Sequence, residues 1–253
     1  MRLDKYLYEN GFYPSRNKAL EGIERNEVFV NGKIAEKPSY SVVDTDIVTI
    51  SEEKKPYVSL GGYKLEKAIN FFSPKIDGNV FIDVGASTGG FTDCLLRFGA
   101  KRVYCVDVGK DQLAPELAAD CRTRVMDGVN ARFLSERDFD EKANGIVVDC
   151  SFISLEYVLP PLPALICADG YILALIKPQF ETGGAAKMKN GILRNDSERA
   201  AVIKRIYSFV VSQGLCFKGI CLVTTDSKKN KEYVAYITKS GESMPIKELL
   251  SAI

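Results

Sequence analysis

The chain has 253 residues, 46% hydrophobic and 26% charged, which fits a globular protein of one or two domains and excludes a disordered or fibrous class. Lys and Arg number 34 against 33 Asp and Glu, so any affinity for nucleic acid must come from a local basic face rather than from overall charge. Seven Cys without a CxxC pair favour reduced core thiols over a disulfide frame or a metal centre, and the absence of His removes Ser-His and Cys-His nucleophilic schemes.

The N-terminal "MRLDKYLYENG" has no apolar signal core, and no apolar run reaches the roughly 18 residues of a membrane span, so the expected compartment is the cytoplasm. Leu3, Tyr6 and Leu7 share one face of a first helix, and Ser15 is the candidate N-cap of a second. "VFV", the turn pair Asn31-Gly32, "KIA" and "DIVTI" then read as a hairpin and a further strand. These elements predict a small α+β unit over residues 1–52. The polar run "SEEKKP" opens a linker over 53–61, and residues 62–253 form a larger domain. Its pattern alternates apolar strands ("NVFIDVG", "KRVYCVDVG", "RVMD", "GIVVDCS", "GYILALIKP") with helices such as "GGFTDCLLRFG", "DQLAPELAAD" and "SLEYVLPPLPALI". Such alternation predicts a doubly wound, mostly parallel α/β sheet, closed after the helix "DSERAAVIKRIYSFVVSQG" by an antiparallel strand pair, "CFKGICLVTT" and "EYVAYITK".

"FIDVGASTGGFTDCLL" sets Asp83, Gly85, Ser87, Thr88, Gly89 and Gly90 across a strand-to-helix turn, the place where open parallel sheets bind ligands. Asp107 and Val108 end the next strand, where a carboxylate can accept both hydroxyls of a ribose. The spacing is not G-x-G-x-x-G, and Asp83 ahead of the first glycine would repel a pyrophosphate but suits the cationic end of S-adenosylmethionine. A methyl donor is therefore expected, with Asp127, Gly128 and Asn130 of "MDGVN" near its adenine.

Asp149 in "IVVDCSF" and Lys177 in "ALIKPQF" end two strands expected to be neighbours, so both point into the same crevice. Lys64 in "GGYKLEKAI" precedes the first strand of the domain, and Glu232 begins the last. A ribose hydroxyl is a very weak acid, so its attack needs a base or a field that stabilises the developing alkoxide. A desolvated lysine beside a second cation can act as that base, with carboxylates orienting each amine. In the small unit Arg2, Lys5, Arg16, Lys18 and Lys33 can line one phosphate-binding face, provided that Glu21, Glu24 and Glu27 face elsewhere.

Lys64, Asp149, Lys177 and Glu232, in this order, resemble the K-D-K-E tetrad of FtsJ-like ribose 2'-O-methyltransferases. "VSLGGYKLEKA", "FIDVGASTGGFTDCLL", "DCSFISL" and "LIKPQFE" are similar to the haemolysin-A (TlyA) family of ribosomal RNA cytidine 2'-O-methyltransferases, and the N-terminal part resembles the S-four-type RNA-binding domain. The resemblance implies a Rossmann-like class I methyltransferase that takes ribosomal RNA or a ribosomal subunit as partner. The chain departs from the family pattern at Leu60, at Cys150 and in "TTDSKKNKEY". Three other readings are open at this point: Cys150 as a covalent nucleophile on a pyrimidine, a non-catalytic RNA-binding assembly factor, and a membrane-lytic protein.

Overall fold

The computed structural model describes residues 1–50, 56–182, 191–224 and 229–251. Residues 51–55 of the expected linker and 225–228 of the approach to Glu232 lie outside the described residues. The chain divides into two compact units, Met1–Pro56 and Tyr57–Ile253.

In the first unit α1 (Leu3–Glu9) and α2 (Arg16–Glu24) precede β1 (Val28–Val30), β2 (Lys33–Ile34) and β3 (Val48–Ile50). Ser15 caps α2 by accepting the Lys18 amide proton. Asn31 and Gly32 both take positive φ, as a two-residue hairpin turn with the right strand twist requires. The antiparallel sheet runs β2-β1-β3, and Leu3, Leu7, Ala19, Ile23 and Val28 form its core against the two helices.

The second unit runs α3 (Leu60–Phe72), β4 (Val80–Val84), α4 (Gly90–Arg97), β5 (Arg102–Asp107), α5 (Pro115–Ala118), β6 (Thr123–Asp127) and β7 (Ala143–Val148). It continues through α6 (Leu155–Val158), α7 (Leu162–Leu165), β8 (Ile166–Ile176), α8 (Pro178–Glu181), α9 (Asp196–Ser212), β9 (Cys216–Leu222), β10 (Tyr233–Thr238) and α10 (Ile246–Ser251). The sheet order is β6-β5-β4-β7-β8-β10-β9, parallel from β6 to β8, with β10 antiparallel to both β8 and β9. The chain reverses its direction of winding at β4, so the crevice above β4, β5 and β7 is the switch point. β4 is buried on both faces: Val80, Ile82 and Val84 pack on one helical layer and Phe81 on the other.

Three expectations are corrected here. Tyr57 to Gly61, assigned to the linker, belong to the second unit: Tyr57 is buried beside α4, the Val58 amide donates to Asp93 Oδ2 at 3.0 Å, and Ser59 is the N-cap of α3. "SLEYVLPPLPALI" is two short helices rather than one, because Pro160 and Pro161 lack the N–H groups that a continuous helix needs. "DQLAPELAAD" forms only the single turn of α5.

Candidate active site

The turn after β4 is stitched to both neighbouring strands, since the Gly85 amide donates to Val106 O at 2.8 Å and the Asp149 amide donates to Val84 O at 2.9 Å. Two connected clefts open over it. The larger, of about 460 Å3, is lined by Gly85, Ser87, Asp107, Val108, Asn130 and Phe152, among others. The smaller, of about 170 Å3, holds Thr88, Gly90, Phe91, Ser151, Asp149 and Lys177. Gly85, Ser87, Asp149 and Ser151 border both.

Asp107 is fixed by backbone donors: the Ser87 amide reaches Oδ2 and the Gly109 amide reaches Oδ1, both at 2.8 Å. Each carboxylate oxygen keeps a second lone pair, which suits a vicinal diol. Gly85 has φ +83, and a Cβ there would sit 2.7 Å from the Asp149 carbonyl oxygen, so only glycine fits at the floor.

Asp83 does not stand where the sequence suggested. It is 0% exposed, beneath α4, with Thr92 Oγ1 donating to its Oδ2 at 2.7 Å and no partner on Oδ1. Strand alternation turns it away from the crevice, so it cannot meet a ligand's cationic end. Burial pushes its carboxyl up to about 7, helped by the charges of Asp149 and Asp107. A folded-state value above the unfolded one makes its stabilising contribution complete below about pH 4 and lost as pH rises through 7. Asp83→Asn is therefore expected to flatten the decline in unfolding free energy between these limits, a decline of roughly 3 to 4 kcal/mol at most. Urea titrations at pH 5, 7 and 9 measure it, and an unchanged slope would refute the burial account.

Two more placements differ. Asp127 is exposed and accepts the Asp111 amide proton at 2.9 Å, and neither it nor Gly128 lines the larger cleft; Val129, Asn130 and Ala131 do. Gly89 is needed for packing instead, since a Cβ there would strike Leu117 and Leu113. Asp127 ends β6 level with Asp107, and Gly128, with φ +71, starts the exposed turn that follows.

Lys177 is buried and forms an ion pair with Asp149 Oδ1, while its Nζ donates to Ser151 Oγ at 2.9 Å. Tyr233 lies opposite Ile176 in the β10–β8 ladder, so Glu232 comes level with Lys177 at the sheet end. Near the C-terminus of α3, Phe72 packs on Tyr236 with ring centroids 5.2 Å apart. Lys64, eight residues earlier and so about 12 Å along the helix axis, reaches Glu232 Oε2 at 2.7 Å. Gln179 Nε2 donates to Glu232 Oε1 at 3.0 Å. The four residues thus form two carboxylate–lysine pairs rather than a pair of adjacent lysines, and only Asp149 and Lys177 line the smaller cleft. Sequence reasoning missed the roles of Ser151 and Gln179, although both stand in the quoted motifs "DCSF" and "KPQF".

Cys150 Sγ donates to Val84 O at 3.8 Å, and burial pushes its thiol up to about 12, so the nucleophilic thiolate is scarce. Among the described residues no group of His, Cys, Asp and Glu could hold a metal, and no helix is long and apolar enough to cross a membrane.

In the small unit Arg2 and Arg16 converge on the buried Asp4, at 3.1 Å and 2.8 Å. The Arg2 hydrogen bond, reinforced by Arg16, lowers the Asp4 carboxyl to about 2. Lys5 pairs with Glu9 and Lys18 with Glu21, which also pairs with Arg25. Glu21 therefore faces the same side as Lys18, against expectation, because helical neighbours three and four residues apart share a face. Lys33 is exposed on β2 and joins no ion pair among the described residues.

A family model described as FtsJ-like methyltransferase matches residues 57–241, and an S4 domain model matches residues 1–48. The chain belongs to the FtsJ-like methyltransferase family. The Bacillus subtilis protein YqxC is 39% identical over 251 residues, covering 98% of this methyltransferase and 89% of its own length. The 16S/23S rRNA (cytidine-2'-O)-methyltransferase TlyA of Mycobacterium tuberculosis (strain H37Rv) is 38% identical over 200 residues, covering 79% and 75%. A solved structure from Streptococcus thermophilus that carries a hemolysin name superposes with a TM-score of 0.72 at 36% identity, covering 99% and 94%. S-adenosylmethionine is the methyl donor of this methyltransferase. The glycine floor at Gly85, the diol-competent Asp107 and the apolar wall at Val108 fit that molecule.

Proposed function

We propose that the protein transfers a methyl group from S-adenosylmethionine to the 2'-hydroxyl of a cytidine ribose in ribosomal RNA. The observation that carries this reading is the pair of buried Lys177 and half-buried Asp149 at the mouth of a small cleft that shares four residues with the cofactor cleft. The names of the curated relatives supply the acceptor, a cytidine ribose.

Asp107 would hold the donor's ribose, Val108 and Asn130 would flank its base, and Ser87, Thr88 and Gly90 would border its reacting end. The donor supplies an electrophilic methyl group on a sulfonium. Lys177, oriented by Asp149 and Ser151, faces the acceptor oxygen as its O–H bond breaks, and its positive charge stabilises the developing alkoxide. The hydroxyl proton would pass to the Asp149 carboxylate of the pair and then to solvent; the ribose oxygen would bond to the methyl carbon as the methyl–sulfur bond breaks, its electron pair staying on the sulfur of the departing S-adenosylhomocysteine. Lys64 and Glu232 act one step back: Glu232, level with Lys177 and fixed by Gln179, holds Lys64 as a second source of positive field. No histidine is needed.

Isolated 30S and 50S subunits incubated with labelled donor, followed by digestion of the RNA, test the reading directly. Label on a 2'-O-methylcytidine supports it; label on a base, or RNA binding without any transfer, overturns it. An acceptor in ribosomal RNA also implies work in the cytoplasm.

The S4-type unit would grip RNA phosphates with Arg2 and Arg16, whose two charges share the single carboxylate of Asp4, and with Lys33. Replacing Arg16 and Lys33 with Ala is expected to reduce the slope of log affinity against log salt by about 1 to 2. Filter binding to ribosomal RNA over a salt series measures it, and an unchanged slope removes this face from the RNA interface.

A further inference from the structure

A third cleft, of about 440 Å3, lies on the far side of Phe152. It shares Arg132, Phe152 and Ile153 with the cofactor cleft and no residue with the small cleft that holds Lys177. The Phe152 side chain is the partition. Its residue takes φ +63, a conformation a bulky side chain rarely adopts, and it is 88% exposed, held outward on Phe180 with ring centroids 4.6 Å apart. The Phe180 ring in turn lies 5.9 Å from Lys177 Nζ, so a single ring separates this cleft from the reacting amine.

The walls are aromatic: Phe152, Phe180 and Tyr157, the last 64% exposed. The floor is polar and already paired. Buried Glu181 accepts the Leu155 amide proton at 2.9 Å, the Ser154 hydroxyl at 2.6 Å and Arg205 Nη2 at 3.0 Å, and Arg205 also pairs with Glu156 at 3.1 Å. Two arginines, Arg132 and Arg205, stand against two glutamates, so the lining is formally neutral. An isolated phosphate finds no net field there. A flat, uncharged ring with hydrogen-bonding edges finds both stacking partners and polar groups.

We infer that this cleft binds a nucleobase of the substrate strand, that of the nucleotide beside the acceptor, and the inference rests on the proposed function. The strand that brings its ribose to Lys177 must pass Phe152, and the cofactor cleft fills one side of that ring. The neighbouring base occupies the other side, between Phe152, Phe180 and Tyr157.

Tyr157 is the residue to change, because it lies outside the reaction and cofactor clefts and its ring is mostly in solvent. With 30S and 50S subunits as acceptors, Tyr157→Ala is expected to raise KM for the subunit about tenfold, the order of one lost stacking partner. The turnover number should stay within about twofold, affinity for S-adenosylhomocysteine should not move, and Tyr157→Phe should restore KM. A structural role would instead shift the thermal midpoint or the cofactor affinity. An unchanged KM in Tyr157→Ala, with wild-type transfer intact, overturns the base cleft alone; absent ribose methylation by the wild type overturns the proposed function and the cleft with it.

Discussion

Lys177→Ala is expected to reduce methyl transfer to ribosomal RNA by about a thousandfold while leaving affinity for S-adenosylhomocysteine within about threefold of wild type. Lys177 borders the small cleft but not the larger one, and its Nζ is committed to Asp149 and Ser151. Its loss removes the charge that faces the acceptor oxygen without touching Asp107 or the glycine floor. Lys177→Arg should not rescue the activity, since a forked guanidinium cannot take the single position that an ammonium fills between Oδ1 and Oγ. Breaking the pair leaves Asp149 partly buried beside an emptied position, and a lower thermal midpoint is expected as well. Single-turnover transfer measures the chemistry, and calorimetric titration of S-adenosylhomocysteine measures the cofactor site. Transfer above about a tenth of wild type would remove Lys177 from the reaction.

Gly85→Ala carries the second large effect. The added methyl meets two penalties at once: a positive φ that costs an alanine roughly 1 kcal/mol or more, and a contact of 2.7 Å with the backbone oxygen of Asp149. A flexible side chain could move away, but this oxygen belongs to the segment that carries Asp149 and Ser151. Relief of the clash must shift both clefts together. Affinity for S-adenosylhomocysteine is expected to fall at least thirtyfold and methyl transfer to become undetectable, with stability lowered by about 1 to 3 kcal/mol. Gly214→Ala is the control, because Gly214 has φ +73 with no atom within 4 Å of its would-be Cβ. It should lower the thermal midpoint slightly and leave cofactor affinity intact. Equal effects from the two substitutions would mean that backbone strain alone, and not the close approach to Asp149, governs Gly85.

Local signals read well wherever one residue type meets one local demand. Asn31-Gly32 marks the hairpin because two successive positive φ values are needed there, and Ser15 marks the start of α2 because its hydroxyl accepts the Lys18 amide. The doubly buried strands β4, β5 and β7 are visible as apolar runs, since a parallel sheet covered on both faces leaves no position for a polar side chain. The exception inside such a run is Asp83. A lone acid in a buried strand looks like a ligand-binding group, yet its position in the alternation places it under α4 against Thr92. Glu21 differs for another reason: three residues from Lys18 and four from Arg25, it shares their face of α2, so helix periodicity alone already sets it beside them.

Hydrophobic period, turn chemistry and strand length were enough to place the parallel strands, the division into two units, and Asp107, Asp149 and Lys177 at strand ends. Long-range packing set the pairing of Lys64 with Glu232, the place of Phe152 between two clefts, and the burial of Asp83 beside an open Asp107. These depend on strand register and on the insertion of β10 between β8 and β9, contacts between residues far apart in the chain that no local pattern encodes.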